Sequence, residues 1–191
     1  MLLLRTLVVF LLTRADALAN GAAVRPPLGW SNWNRWQNRI NASIFHETAA
    51  FMRQSGLLAA GYKYITLGGI GYANGSEAGG TITRNATGHL QSDLRRFPGG
   101  NEGIRKLADE LRAWGFRWGS YTEAGTTGCN GAKGSSEGFE QQDFELFFHD
   151  WRSEYLMVDS CGVVSRAVCA VAFSNQSQQL AVRGRTIPGL S

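Results

Sequence analysis

The sequence predicts a parallel β/α protein, and three observations carry that expectation. Short apolar runs alternate with longer amphipathic ones along the 191 residues. The amphipathic stretches hold apolar residues at helical spacing and stop on glycine. The run Tyr-Leu-Met-Val (155–158) passes without a break onto an acid, Asp159, which is how a strand ends when its carboxyl end faces a ligand.

Taken in order, Pro27 to Trp33 is a first strand and Tyr62 to Gly69 a second, separated by a helix over Ser43 to Gly56 that starts on serine and stops on glycine. A polar, glycine-rich loop runs to Gly100. The helix from Asn101 to Gly115 has asparagine as a cap and glycine as a stop. Phe116 to Glu123 is a third strand, Gly138 to Trp151 a third helix, and Glu154 to Val163 holds the fourth strand. Strand–helix alternation of this kind fits both a doubly wound sheet and a (β/α)8 barrel. Position alone leaves Asp159 two readings: a catalytic acid, or a cap on the following turn. From Val163 onward no clear period remains, and residues 163–191 read as a divergent tail lacking the next βα unit.

Composition narrows the class. Hydrophobic residues at 43% and charged residues at 18% belong to a globular chain. The net charge of +4 is spread along the sequence without a basic block, so nucleic acid gains no support as a partner. Residues 1–23 combine Arg5, an apolar stretch from Leu7 to Leu12, and small Ala17 and Ala19. This reads as a secretory signal peptide whose apolar part is too short for a membrane span. Four sequons, at Asn41, Asn74, Asn85 and Asn175, agree with passage through the secretory pathway to an extracellular, lysosomal or vacuolar home. Three cysteines, Cys129, Cys161 and Cys169, allow one bridge in an oxidising compartment and leave one thiol over. His46, His89 and His149 lack metal-ligand spacing, and the glycine-rich stretch 68–80 lacks the lysine of a phosphate loop, so neither metal nor cofactor is expected.

Residues 26–161 resemble the α-galactosidase and α-N-acetylgalactosaminidase (melibiase-like) family of glycoside hydrolases. The resemblance is carried in order by PPLGWSNWNRWQNRIN, SGLLAAGYKYITL, RNATGHLQSDLRRFPGG, GIRKLADELRAWGFRWGSYTEAGTTGC, GFEQQD and YLMVDSC. It implies the amino-terminal half of a (β/α)8 barrel over residues 24–162, with four strands and the later ones missing. It also implies retaining hydrolysis of terminal α-galactosides by two carboxyl groups roughly 5 Å apart. Asp159 matches the nucleophile, and Cys129 and Cys161 match a disulfide between neighbouring loops. Trp30, Tyr121, Glu123 and Met157 fall on substrate-binding positions, with ordinary core an equal reading for Trp30. Departures from the pattern are expected to impair the site. Gly68 and Gly69 stand where the family has an acid pair, Met157 where it has lysine, and Ile70 and Asn38 where it has a second disulfide. The family acid/base has no counterpart. Glu123, on the strand next to Asp159, is a poor substitute because a retaining pair must flank the sugar on opposite faces. The expected partner is an α-galactoside-containing oligosaccharide or glycoconjugate, with self-association through the open edges of the first and fourth strands. A non-catalytic glycan-binding relative and a product without function are the alternatives.

Overall fold

The computed structural model describes residues 26–75, 83–125, 127, 135–159, 170–174 and 177–182; for the last two segments it fixes the backbone path. The signal peptide, all three cysteines and Asn175 lie outside these residues.

Six strands form one sheet in sequence order: β1 (Gly29–Ser31), β2 (Tyr64–Thr66), β3 (Arg117–Glu123), β4 (Tyr155–Asp159), β5 (Ala170–Ser174) and β6 (Ser177–Val182). The first four are parallel, as the strand–helix alternation predicts. The helices between them are α1 (Trp33–Trp36), α2 (Ala42–Gln54), α3 (Asn101–Ala113) and α4 (Glu140–Phe144), which continues as a π-helical segment over Glu145–Asp150. Among the described residues no helix is long and apolar enough to cross a membrane.

The core fills the layer between sheet and helices. α3 buries Ile104, Leu107, Ala108 and Leu111, the i, i+3, i+4, i+7 stripe that made it legible as a helix. Phe45 of α2 sits against Trp118 of β3, ring centroids 5.4 Å apart, and meets Trp30 of β1 edge-on at 5.7 Å. Tyr72, Phe147 and Trp151 form a second aromatic cluster under β3 and β4.

Local expectations fail at three places. The cap of α2 is Asn41, whose Oδ1 accepts from Ile44 N at 3.1 Å, so the helix starts one residue before Ser43. Asn101 does not cap α3. Gly100, at φ +63°, holds that position, and the Asn101 amide instead donates to Leu90 O and accepts from Ser92 Oγ. The divergent tail, read as lacking the next βα unit, carries β5 and β6. β5 runs antiparallel along β4, so β4 is not the open edge that four isolated strands would leave. Alternation of period 2 is a weak signal in so short a pair, and it is the register with β4 that defines it.

Candidate functional site

Cross-strand register decides which side chains can meet. β3 and β4 pair Tyr121 with Met157 and Glu123 with Asp159. Residues two apart share a face, so these four side chains stand together on the face away from the helices, with the two acids at the carboxyl rim. The Tyr121 hydroxyl lies 2.8 Å from Asp159 Oδ2 and 3.1 Å from Glu123 Oε1, between the two carboxyl groups. Glu123 and Tyr121 are buried, whereas Asp159 is half-buried. Burial, the hydrogen bond with Asp159 and the charge of Glu123 push the Tyr121 phenol far above its ordinary range, so it stays a protonated donor. Met157 packs against the core and presents a thioether where a lysine would present a charge.

The rim of β3 is braced from behind. The alternate face of β3 carries Thr122, whose hydroxyl meets Ser136 Oγ at 2.5 Å; Ser136 Oγ donates to Asp143 Oδ2 at 2.7 Å. Ser136 N also donates to the Glu123 carbonyl at 2.9 Å, which fixes the backbone of the acid itself. Asp143, 1% exposed, receives both arms of the Arg84 guanidinium at 2.7 and 2.8 Å. Arg84 further donates to the carbonyls of Gly88 and Ser135 and lies 4.0 Å over the Phe139 ring. Tyr72, buried among these charges, donates to the Tyr121 carbonyl at 3.2 Å, and burial together with Asp143 raises its phenol as well.

The rim of β1 and β2 is built differently. Asn32, fully buried, joins the two strand ends like one extra rung of the ladder: its Nδ2 donates to Gly68 O at 2.7 Å and its Oδ1 accepts from Gly68 N at 2.6 Å. Gly69 adopts φ +81°, and a Cβ built there would lie 2.7 Å from the Trp33 ring. The aromatic ring occupies the volume a side chain at 69 would need. A Cβ at Gly71 would lie 2.7 Å from the Asn38 carbonyl, and Arg96 Nη1 donates to the carbonyls of both Asn38 and Gly71 at 2.9 and 2.8 Å. The two segments that the resemblance joins by a second disulfide are therefore joined here by one guanidinium.

Of the predicted residues, Asp159, Glu123, Tyr121 and Met157 come together and Trp30 does not. Trp30 pairs with Ile65, and its edge-on contact with Phe45 puts it on the helix side of the sheet, so it takes the core reading. Trp33, 38% exposed against Gly69, is the tryptophan at the rim. The resemblance had placed Trp30 at the sugar with ordinary core an equal reading; β1 stops at Ser31, and Trp33 begins the helical turn that follows. Asn41, Asn74 and Asn85 are all exposed. Cys129 and Cys161 lie outside the described residues. Among the described residues no three His, Cys, Asp or Glu side chains gather as a metal-holding set.

The family model described as Alpha galactosidase A matches residues 25–189. The α-galactosidase of Coffea arabica is 36% identical over 149 residues, 78% of this chain and 36% of that protein. Alpha-galactosidase 2 of Arabidopsis thaliana is 36% identical over 142 residues, 74% of this chain and 33% of that protein. The crystal structure of alpha-galactosidase I from Mortierella vinacea superposes with a TM-score of 0.65 at 28% identity, covering 75% of this chain and 33% of that one. The Saccharomyces cerevisiae α-galactosidase, solved with raffinose, gives 0.64 at 32% identity over 74% of this chain and 28% of that one. The chain thus spans about a third of the length of the relatives it matches, and the shared part is the amino-terminal portion of their barrels.

Proposed function

The chain belongs to the alpha galactosidase A family, and on that premise we propose that it is the nucleophile-bearing portion of a retaining glycoside hydrolase acting on terminal α-galactosyl groups. The observation that carries this reading is Asp159, half-buried at the carboxyl rim of β4 and held by the Tyr121 hydroxyl. In this reading the Tyr121 hydroxyl orients the carboxylate through Oδ2, and the carboxylate attacks the anomeric carbon. Attack forms the C1–O bond of a glycosyl ester as the bond to the aglycone breaks. A poor leaving group needs a proton at that moment. Glu123 does not supply it, because the Tyr121 oxygen sits between the two carboxyl groups where a sugar ring would have to lie. The glycine turn at 68–69 and Met157 also withhold the charged contacts that the family pattern directs at the sugar. A hydrogen bond to a charged group contributes about 1.5–3 kcal/mol, so losing several weakens sugar binding by orders of magnitude. The site is therefore impaired as it stands: among the described residues the attacking group has no proton donor for the aglycone beside it and a thinned recognition surface. The secretory route, with sugars on Asn41, Asn74, Asn85 and Asn175 and a bridge between Cys129 and Cys161, belongs to the same reading.

An activated substrate separates attack from proton donation. A 2,4-dinitrophenyl α-galactoside fluorinated at C2 needs no acid to leave and has a slowed second step. The purified chain is expected to release dinitrophenolate up to one equivalent and to carry one glycosyl group on the peptide containing Asp159, visible by mass spectrometry. Asp159→Asn abolishes both, and an ordinary alkyl α-galactoside is not turned over. Absence of labelling on the wild-type chain rejects Asp159 as a nucleophile. Retained binding of α-galactosides without labelling supports the second reading, a non-catalytic glycan-binding relative, which the exposed Trp33 ring at the rim favours.

A further inference from the structure

β3 runs on past the strand that flanks it. The last rung between β2 and β3 is Leu67 N donating to Gly119 O at 2.9 Å, whereas β3 continues to Glu123. Beyond that rung the chain leaves the sheet, because Asn32 takes both backbone groups of Gly68 toward β1 and Gly69 turns at φ +81°. Carbonyls two residues apart along a strand point to the same side. Tyr121 O and Glu123 O therefore keep the direction of Gly119 O after the β2 ladder has ended. Buried carbonyls need donors. The Glu123 carbonyl accepts from Ser136 N at 2.9 Å, and the Tyr121 carbonyl accepts from the Tyr72 hydroxyl at 3.2 Å. A side chain thus extends the ladder, and it does so at the residue whose own hydroxyl stands between Asp159 and Glu123.

We infer that Tyr72 is a positioning residue for the Asp159 carboxylate, acting through the Tyr121 peptide. The donor is itself held firmly. Asp93 N donates to Tyr72 O at 2.9 Å, and Arg96 donates to the preceding Gly71 carbonyl at 2.8 Å. The Tyr72 ring is 1% exposed and meets Trp151 at 5.1 Å and Phe147 at 6.3 Å, both edge-on, so it cannot swing without opening that cluster. Burial and the charge of Asp143 keep its phenol protonated, and the carbonyl it faces can only accept. On the other side of β3, Ala124 N donates to Asp159 O at 2.8 Å. A displaced 121–124 backbone therefore reaches the acid by two routes, through the Ala124 amide at its main chain and through the Tyr121 hydroxyl at its side chain. Misplacing a reacting group by a fraction of the length of a hydrogen bond is felt in the chemical step more than in binding. The effect on reaction rests on the reading of Asp159 as a nucleophile, whereas the effect on the backbone does not.

Tyr72→Phe keeps the ring and removes the hydroxyl. Hydrogen exchange at the Ala124 amide is expected to speed up about tenfold in the full chain carrying it, while the Ile104 and Leu107 amides of α3 report any global loss and change less. Ser153→Ala serves as the control: it breaks a buried hydroxyl pair with Ser120 on the same strand, at 2.6 Å, and is expected to leave Ala124 unchanged. With the fluorinated dinitrophenyl galactoside, Tyr72→Phe is expected to lower the maximal labelling rate about tenfold and to keep the half-saturating concentration within about twofold. On the wild-type chain, which needs no substitution, the Tyr72 hydroxyl proton is expected to be visible by NMR and slow to exchange with water. A hydroxyl proton averaged with water, equal acceleration at Ala124 and in α3, the same response from Ser153→Ala, or an unchanged labelling rate would each overturn the inference. A wild-type chain that is not labelled at all sinks the proposed chemistry, and the exchange at Ala124 then decides the positioning role without it.

Discussion

The carboxyl ends of β3 and β4 and those of β1 and β2 lie on the same rim of one parallel sheet, yet they are built on different principles. At β3 and β4 the rim holds ionisable groups, Glu123 and Asp159 joined through Tyr121, and behind them a buried chain of polar side chains runs from Thr122 through Ser136 and Asp143 to Arg84. At β1 and β2 the described strand ends carry no acid. An asparagine clamps a glycine backbone, and an aromatic ring fills the space above the turn. Buried polar groups are costly unless every member is satisfied, so the support at β3 and β4 makes sense where a carboxylate has to be held in place. The other end has exchanged charge for packing, which suits stability but not the recognition of hydroxyl groups.

The largest expected effect comes from cutting the brace. Arg84→Ala leaves Asp143 buried without its guanidinium and is expected to cost about 3–5 kcal/mol, read as a shift of the urea midpoint. The double variant Arg84→Met with Asp143→Leu is expected to recover most of that loss. If the single substitution costs less than ~1 kcal/mol, the brace is not what distinguishes the two rims. At the other rim, Gly69→Ala meets both the Trp33 ring and a left-handed backbone, and about 2–3 kcal/mol of destabilisation is expected. In a Trp33→Ala background the steric part disappears and the cost falls to about 1–2 kcal/mol. Gly69→Asp carries the same penalty and is expected not to improve binding of galactose by calorimetry. Gain of binding would show that the turn can reopen into an acid site.

Smaller effects depend on pH. The Tyr121 phenol has its folded-state pKa raised above the ordinary 10.0, as do Tyr72 and Tyr155. Such groups stabilise the fold fully below pH ~10, the unfolded value, and the stabilisation is lost as pH rises from there toward the folded value. Tyr121→Phe removes one of the three. It is expected to be about 1–2 kcal/mol less stable at pH 7 through the lost hydrogen bond, and to lose stability less steeply between pH 10 and 11.5. Parallel curves for wild type and variant would place the phenol outside the buried cluster.

Asp93, whose carboxylate lies 3.8 Å from the Arg96 guanidinium that holds Asn38 and Gly71, gives a test of the opposite sign. Its burial raises the pKa, but hydrogen bonds from the Arg95 side chain and backbone, with the charges of Arg95 and Arg96, bring it below the ordinary 3.8. Its contribution is present above the unfolded value and is lost as pH falls through the folded one. Asp93→Asn is expected to lower stability by about 1 kcal/mol at pH 7 and to converge with wild type in acid. A difference that persists below pH 2 would assign the loss to packing and not to charge.

Much of the first rim could be read directly from the residues. An apolar run ending on Asp159 and a strand ending on Glu123 are strand ends, and parallel strands next to one another bring such ends together. Tyr121 and Glu123 came as substrate positions from the resemblance, and two-residue spacing puts them on one face. The brace was not legible, because Arg84 and Asp143 are 59 residues apart and each looks like an ordinary surface charge in its own segment. The exchange of Trp30 and Trp33 was missed because two tryptophans three residues apart share a face in a helix but oppose one another in a strand. The strand ends between them.

Patterning by itself therefore determined the layer architecture, the strands that end on acids and the family to which the ordered motifs belong, since each depends on residues close in sequence. Tertiary structure alone decided which tryptophan reaches the rim, that Asn32 and Trp33 close the glycine turn, that Arg84 sustains Asp143, and that the tail lies antiparallel along β4. Those are contacts between segments far apart along the chain, fixed by register and by the volume left between packed side chains, and no local periodicity encodes either.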